Sequence, residues 1–377
     1  MNKSCEIGPI RPPYEAYSLL IRTMRNCPWN RCRFCRAYSD SKFSLRSVED
    51  LKQEIVTFKE IYDSIKLLAA RDYNGNLKAA SLAVSQAPLN HTHYNVALWM
   101  SAGAKTVFLQ DANPPVMRTP DLVEVLKFLR QELPSITRVN SFGRSHTLAR
   151  KSLDELKQLH EAGLDNLHVG FESGSDTVLN IMDKGVTAAQ QIDAGRKVRA
   201  AGISLSENVL LGLGGQGLWK EHAVETARVL NAIEPDDIRI LSLVIHPNLK
   251  MCEDVESGAF IRQTDEAMVE ELRVIIENLD CSSNLASYHF NNLLQEVEGK
   301  LPQDKENLLN VIKQFQSLTV EDRLHFTVGR RAGVYTSVTE LEDSHKYQAV
   351  VEIMERLRQY NGKIDDDLIQ QMRVRFS

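Results

Sequence analysis

The stretch RNCPWNRCRFCRAY, residues 25–38, places three of the chain's six cysteines within nine consecutive positions. These are Cys27, Cys32 and Cys35. The apolar segment YSLLIRT, residues 17–23, comes just before this stretch and predicts a short β-strand. The thiols therefore follow the end of a strand, the place where parallel α/β sheets carry their chemistry.

Three clustered thiols point to a particular kind of metal site. A structural zinc site uses four ligands, usually as two close pairs, and Cys5, Cys252 and Cys281 each stand alone in the sequence. Three cysteines in one loop instead favour a [4Fe–4S] cluster with one iron left open to a small ligand. A loop with incidental cysteines, or a three-cysteine zinc site completed by a histidine, are the alternatives.

Composition and charge limit the class of protein. The 377 residues are 43% hydrophobic and 25% charged, with a net charge of −5. These values are ordinary for a globular protein and give no overall field for gathering nucleic acid. We find no apolar run of about 20 residues, the length that spans a membrane. We therefore expect a cytoplasmic protein with no membrane or nucleic-acid partner, in which cysteines are metal ligands more often than disulfides.

Strands and helices alternate over most of the chain. Beyond residues 17–23, apolar and β-branched runs predict strands at 105–110, 137–142, 166–171 and 237–246, and a strand followed by a glycine loop at 203–215. Helical periodicity lies between them, which predicts an α/β fold with a parallel, barrel-like sheet. We expect a core over residues 16–250, preceded by an extension at 1–15 and followed by a mainly helical region at 251–377.

The cysteine loop and a later motif together resemble the radical S-adenosylmethionine (SAM) superfamily. Phe34 stands just before the last cysteine, as an aromatic residue does in that family, although four residues rather than three separate Cys27 from Cys32. The segment ESGSDTVLNIMDKG, residues 172–185, is similar to the subgroup that contains oxygen-independent coproporphyrinogen oxidases and methylthiotransferases. The resemblance implies a partial (β/α)6 TIM-like barrel with a C-terminal helical appendage.

The same resemblance implies two cofactors and their ligands. Cys27, Cys32 and Cys35 would hold a [4Fe–4S] cluster, and Phe34 would lie against the adenine of SAM. The remaining SAM contacts implied by the resemblance come from residues at or near strand ends: Asp111 and Asn113 for the amino group, Asn140, Ser141 and Glu172 for the ribose, Lys184 for the carboxylate, and Asn208 as a further polar contact. An Asp/Asn/Pro turn at 111–115 and a helix-end lysine at 184 are the structural alternatives.

The implied function is that of a radical SAM enzyme. A reduced cluster would cleave SAM to a 5′-deoxyadenosyl radical, which would abstract hydrogen from a small-molecule substrate, with flavodoxin or ferredoxin as reductant. The alternatives are an iron–sulfur electron carrier or scaffold without turnover, and a methylthiotransferase-like enzyme that modifies RNA or protein. The sequence identifies no further catalytic residue. His246 and His289 are candidate substrate contacts or packed histidines.

Overall fold

The computed structural model describes residues 5–38, 42–87, 89–247 and 249–375. It has a mostly parallel central sheet with helices around it, which confirms the predicted α/β, partial-barrel fold class. No helix in the described ranges combines the length and the apolar character needed to cross a membrane.

The described strands are short. They are β1 (Leu19–Arg22), β2 (Met24–Arg25), β3 (Ser44–Leu45), β4 (Thr106–Gln110), β5 (Arg138–Gly143), β6 (Asn166–Glu172), β7 (Ser204–Leu211), β8 (Asp237–Ser242), β9 (Asn284–Ala286) and β10 (Glu298–Lys300). Strands β1 and β4 to β8 fall close to the predicted positions, whereas the sequence did not predict β2, β3, β9 and β10.

Helices occupy most of the remaining chain. They are α1 (Val48–Asp72), α2 (Leu77–Gln86), α3 (His91–Ser101), α4 (Thr119–Glu132), α5 (Ser145–Arg150), α6 (Leu153–Glu161), α7 (Asp176–Ile181), α8 (Ala188–Ala200), α9 (Gly215–Ile233), α10 (Lys250–Glu256), α11 (Asp265–Asn278), α12 (Lys305–Ser317), α13 (Val320–Arg331), α14 (Ser344–Asn361) and α15 (Asp366–Arg375). Short 3-10 helices lie at Pro13–Glu15, Pro114–Val116 and Val338–Glu342.

The first of two compact units comprises residues 1–30, 37–170 and 194–205. In it, β1, β4, β5 and β6 pair in parallel in that order, and β2 pairs with β3 as a small antiparallel ladder. Helix α1 begins where the Ser47 side chain accepts from the backbone N–H of Asp50. Its apolar face, which includes Leu51, Ile55 and Phe58, is fully buried.

The second unit comprises residues 31–36, 171–193 and 206–377. Strands β7 and β8 pair in parallel, β9 pairs in parallel with β8, and β10 closes an antiparallel hairpin with β9. The hairpin lies in the region predicted to be mainly helical, and its two three-residue strands are too short to give a periodic signal. Helices α10 to α15 also belong to this unit, and the predicted domain boundaries at residues 15 and 250 remain predictions.

Candidate functional site

The start of the cysteine loop is held by Asp111. Asp111 Oδ2 accepts from the backbone N–H of Asn26 at 2.7 Å and from Arg22 Nε at 2.7 Å. Asn26 has a φ of 68°, in the left-handed region, and directly precedes Cys27. A buried carboxylate therefore fixes the backbone where the loop leaves β2.

The other Asp111 oxygen lies under the N-terminal segment. Gly8 packs so closely on Asp111 Oδ1 that a β-carbon at position 8 would overlap it, and Oδ1 has no hydrogen-bond partner among the described residues. Gln110 secures this segment, since its side chain accepts from Gly8 N–H and donates to the carbonyl of Ile10. Asp111 is fully buried, so its carboxylate does not face an open ligand site.

Asn113 is also occupied by internal contacts. Its amide donates to Thr147 Oγ1 at 2.8 Å and accepts from the backbone N–H of Arg144 at 3.1 Å. Ala112 is the partly exposed residue of this turn, with Asp111 and Asn113 buried on either side of it. The Asn113 carbonyl in turn accepts from the backbone N–H of Val116 at 2.9 Å.

Asn140 and Ser141 point to opposite faces of β5, because side chains alternate along a strand. Asn140 Nδ2 donates to Glu15 Oε1 at 2.6 Å, in a buried cluster where His168 Nε2 lies 3.3 Å from the same oxygen. Ser141 is fully buried, with Oγ 2.9 Å from the carbonyl oxygen of Phe142. Alternation keeps the two side chains from contacting one ligand together.

The end of the cysteine loop is anchored within the second unit. The Arg33 guanidinium donates through two nitrogens to one carboxylate oxygen of Asp254 on α10, at 2.6 and 2.9 Å. The backbone N–H of Arg33 donates to the carbonyl of Met182. Arg36 Nη1 lies 3.2 Å from His246 Nδ1. Burial, together with the positive charge of Arg36, lowers the pKa of His246. These contacts fix the backbone that carries Cys32 and Cys35, whose N–H to carbonyl hydrogen bond closes a turn.

Three of the predicted SAM contacts converge in this unit. Lys184 Nζ lies 3.0 Å from Glu172 Oε1 and 5.7 Å from the centre of the Phe34 ring. Phe34 packs against a buried apolar cluster that includes Val178 and Met182 of the segment after β6. A flat aromatic face, a cation and a carboxylate thus lie side by side, which matches the parts needed for an adenosyl group that carries a carboxylate.

Asn208 lies on the face of β7 that leads to this cluster. Leu210, two residues further along the same face, packs against the cluster around Phe34. Glu207, on the opposite face, is fully buried, and burial raises the pKa of its carboxyl group well above the ordinary value. The sequence motifs did not point to Glu207; Leu205 and Val209, two positions away on either side and therefore on the same strand face, are the signal that it would be buried.

The chemistry of the cysteines fits an iron–sulfur cluster at residues 27–35. Cys27, Cys32 and Cys35 are each partly exposed, and none of the six cysteines forms a disulfide. Burial raises the pKa of the Cys5 and Cys281 thiols, which makes them poor thiolate ligands. Within the described ranges, no three His, Cys, Asp or Glu side chains are arranged around a point that would hold a single metal ion. The thiolates of a cluster bind different irons, so they need not share such a point.

Two histidines outside this region, His93 and His289, have local structural partners. His93 Nδ1 lies 2.9 Å from Asn90 Oδ1 at the first turn of α3, where Asn90 also caps the helix. His289 stacks beside Phe290, and burial lowers the pKa of His289 to about 4.

Comparison with known proteins confirms the resemblance. Residues 95–230 match the model of the Radical SAM superfamily, which implies a [4Fe–4S] cluster and SAM as cofactors. The Uncharacterized protein MJ0486 of Methanocaldococcus jannaschii is 32% identical over 33% of this chain and 38% of its own length. The Heme chaperone HemW of Bacillus subtilis is 21% identical over 50% of this chain and 49% of its own length. The chain thus spans half or less of the curated relatives that it matches.

Among solved structures, coproporphyrinogen III oxidase (HemN) from Escherichia coli, described as a Radical SAM enzyme, has a TM-score of 0.45. The match covers 68% of this chain and 50% of that chain at 13% identity.

Proposed function

On the premise that residues 95–230 form a Radical SAM superfamily segment, we propose that this chain binds a [4Fe–4S] cluster and SAM and acts as a radical SAM enzyme. The observation that carries the proposal is the convergence of Phe34, Glu172 and Lys184, three residues named from sequence motifs. With cluster and SAM bound, the chemistry supplied is reductive cleavage of SAM to methionine and a 5′-deoxyadenosyl radical that takes hydrogen from a small-molecule substrate.

Each residue has a defined role in this proposal. Cys27, Cys32 and Cys35 hold the cluster, and the two anchored ends of their loop keep the thiols in place. Phe34 would stack on the adenine, and Lys184 would pair with the methionyl carboxylate.

Glu172 would accept from the ribose hydroxyls. Asn208 adds a polar contact on the same strand face as Leu210. Asn140 and Ser141 serve the fold from within β5.

The direct test is release of 5′-deoxyadenosine after anaerobic cluster reconstitution, with SAM and dithionite present. The full-length protein should release it slowly without substrate, and Cys32→Ala should release none. An electron donor of the flavodoxin or ferredoxin type and a cytoplasmic location complete the proposal. A reconstituted protein with a full cluster that binds SAM but releases no 5′-deoxyadenosine would refute the enzymatic reading.

A heme carrier without turnover is the second candidate, because 190 residues are similar to a protein named as a heme chaperone. It predicts saturable heme binding, seen as a Soret band in titrations with hemin, in a protein that shows no 5′-deoxyadenosine release. A protein that releases 5′-deoxyadenosine and binds no heme would exclude this candidate.

A further inference from the structure

A chain of polar contacts links the loop after β6 to the loop after β7. Ser173 Oγ lies 2.8 Å from His222 Nδ1. His222 Nε2 lies 3.2 Å from Glu271 Oε1, close enough for an ion pair but outside hydrogen-bond geometry. Glu271 Oε1 also accepts from the backbone N–H of Gly212 at 3.0 Å. We call the three side chains, all fully buried, the Ser173–His222–Glu271 relay.

A neighbouring donor indicates which atom donates in the contact between Ser173 and His222. Ser175 N–H donates to Ser173 Oγ at 3.0 Å, which leaves the Ser173 hydroxyl proton for His222 Nδ1. The other ring nitrogen, Nε2, lies 3.2 Å from Glu271 Oε1. Glu271 Oε2 accepts from the side-chain amide of Gln263. One imidazole ring thus lies between the Ser173 hydroxyl and the Glu271 carboxylate.

The loop that the relay holds is also constrained next to Glu172. Glu172 has a φ of 64°, a left-handed conformation that costs a non-glycine residue roughly 1 kcal/mol or more unless its surroundings fix it. Gly174 N–H donates to Thr226 Oγ1 at 3.0 Å, and a β-carbon on Gly174 would overlap the carbonyl oxygen of Glu225 on α9. The carboxylate of Glu172 is therefore aimed by a loop that is bound tightly to α9.

The order serine, histidine, glutamate resembles a hydrolase triad, but its burial excludes that role. A nucleophilic hydroxyl must reach a substrate carbonyl, whereas Ser173 is fully buried. Its oxygen accepts from the Ser175 N–H, and its proton faces His222.

We propose that the Ser173–His222–Glu271 relay fixes the Glu172 carboxylate of the proposed SAM site relative to the backbone turn that begins at Gly212, directly after β7. His222 is a positioning residue in this inference, which rests on the function proposed above. Because the relay connects both loops in the absence of ligand, it lowers the ordering cost of binding.

The first test compares SAM affinity among variants of the full-length protein. His222→Leu removes both polar contacts and should raise the Kd for SAM about tenfold, the effect of roughly 1.4 kcal/mol. His222→Gln should restore most of the affinity, since its amide can accept from Ser173 and donate to Glu271. Ser173→Ala serves as a milder second variant if His222→Leu does not fold.

The matched control is His325, a buried histidine of the same unit whose Nε2 lies 3.2 Å from the carbonyl oxygen of Tyr347. His325→Leu should lower the urea midpoint while leaving SAM affinity unchanged. An equal loss of affinity in His325→Leu and His222→Leu would show that general destabilisation, and not positioning, is responsible.

The second test needs no SAM. Amide hydrogen exchange at Gly212 and Ser175 in the cofactor-free protein should accelerate in His222→Leu and stay unchanged in His325→Leu. Unchanged exchange in His222→Leu, or faster exchange with full SAM affinity, would refute the positioning role of the relay. A wild-type protein that binds no SAM, with the exchange response intact, would instead remove the proposed function.

Discussion

Replacing Asp111 with asparagine should loosen the start of the cysteine loop without destroying the fold. One oxygen, Oδ2, accepts both the Arg22 guanidinium and the Asn26 N–H, each at 2.7 Å. An amide oxygen can keep both bonds but loses the charge, and a bond to a charged group contributes about 1.5–3 kcal/mol against about 1 kcal/mol for a neutral pair. We expect Asp111→Asn to lower the free energy of unfolding by about 2 kcal/mol.

The effect should extend to iron binding because Asn26 directly precedes Cys27. The assay is urea unfolding of the cofactor-free protein, together with iron per chain after anaerobic reconstitution and desalting. Asp111→Asn should be less stable and should retain less iron than wild type. Asp111→Ala, which leaves Arg22 without its buried partner, should lose about 3–5 kcal/mol.

Asp165 provides a chemically matched control in the same unit. Its Oδ2 accepts from the Arg130 guanidinium at 2.7 Å and from the backbone N–H of Val139 at 2.6 Å. These are the same two kinds of donor that Asp111 has, an arginine side chain and a backbone amide. Asp165→Asn should lower stability and retain iron as wild type does. If Asp111→Asn retains full iron despite lower stability, or both variants lose iron equally, the assigned role of Asp111 is wrong.

Three further predictions concern the cluster, the cofactor and pH. Cys27→Ala, Cys32→Ala and Cys35→Ala should each abolish labile iron, whereas Cys281→Ala should not; equal loss in Cys281→Ala would mean that the ligands are misassigned. Glu172→Gln should weaken SAM binding in equilibrium dialysis with iron per chain unchanged, and unaltered binding would remove Glu172 from the site. Burial lowers the pKa of His289 to about 4, so the unfolded chain binds an extra proton between that value and about 6.5. Stability should therefore fall as pH drops through this window, by roughly 3 kcal/mol at most, and His289→Gln should flatten the urea-midpoint profile there.

The segment from Glu172 to Lys184 was predictable because its information is local. Glu172 ends a strand and Lys184 follows a one-and-a-half-turn helix, so short-range geometry alone brings them within 3.0 Å. Phe34 joins them because the cysteine loop packs on the same apolar cluster. The sequence also shows that Asn140 and Ser141 are neighbours on one strand. Because side chains alternate along a strand, this alone predicts that the two point to opposite faces of β5.

The environment of Asp111 could not be predicted in this way. Its partners Arg22 and Asn26 are 85 or more positions away along the chain, and Gly8 lies further still. No periodicity or motif encodes such contacts, because they depend on how the N-terminal segment crosses the end of β4. The Ser173–His222–Glu271 relay escaped notice for the same reason, since its members lie on three separate elements.

The contact between Gly8 and Asp111 has an evolutionary consequence. Since a side chain at position 8 and a carboxylate at position 111 compete for the same volume, neither position is expected to vary independently. In a library randomised at position 8 and selected for iron retention, glycine should therefore be recovered almost exclusively, because a smaller residue at 111 would also remove the contacts to Arg22 and Asn26. Related sequences that keep an aspartate at the end of β4 should accordingly keep a glycine at the position of Gly8.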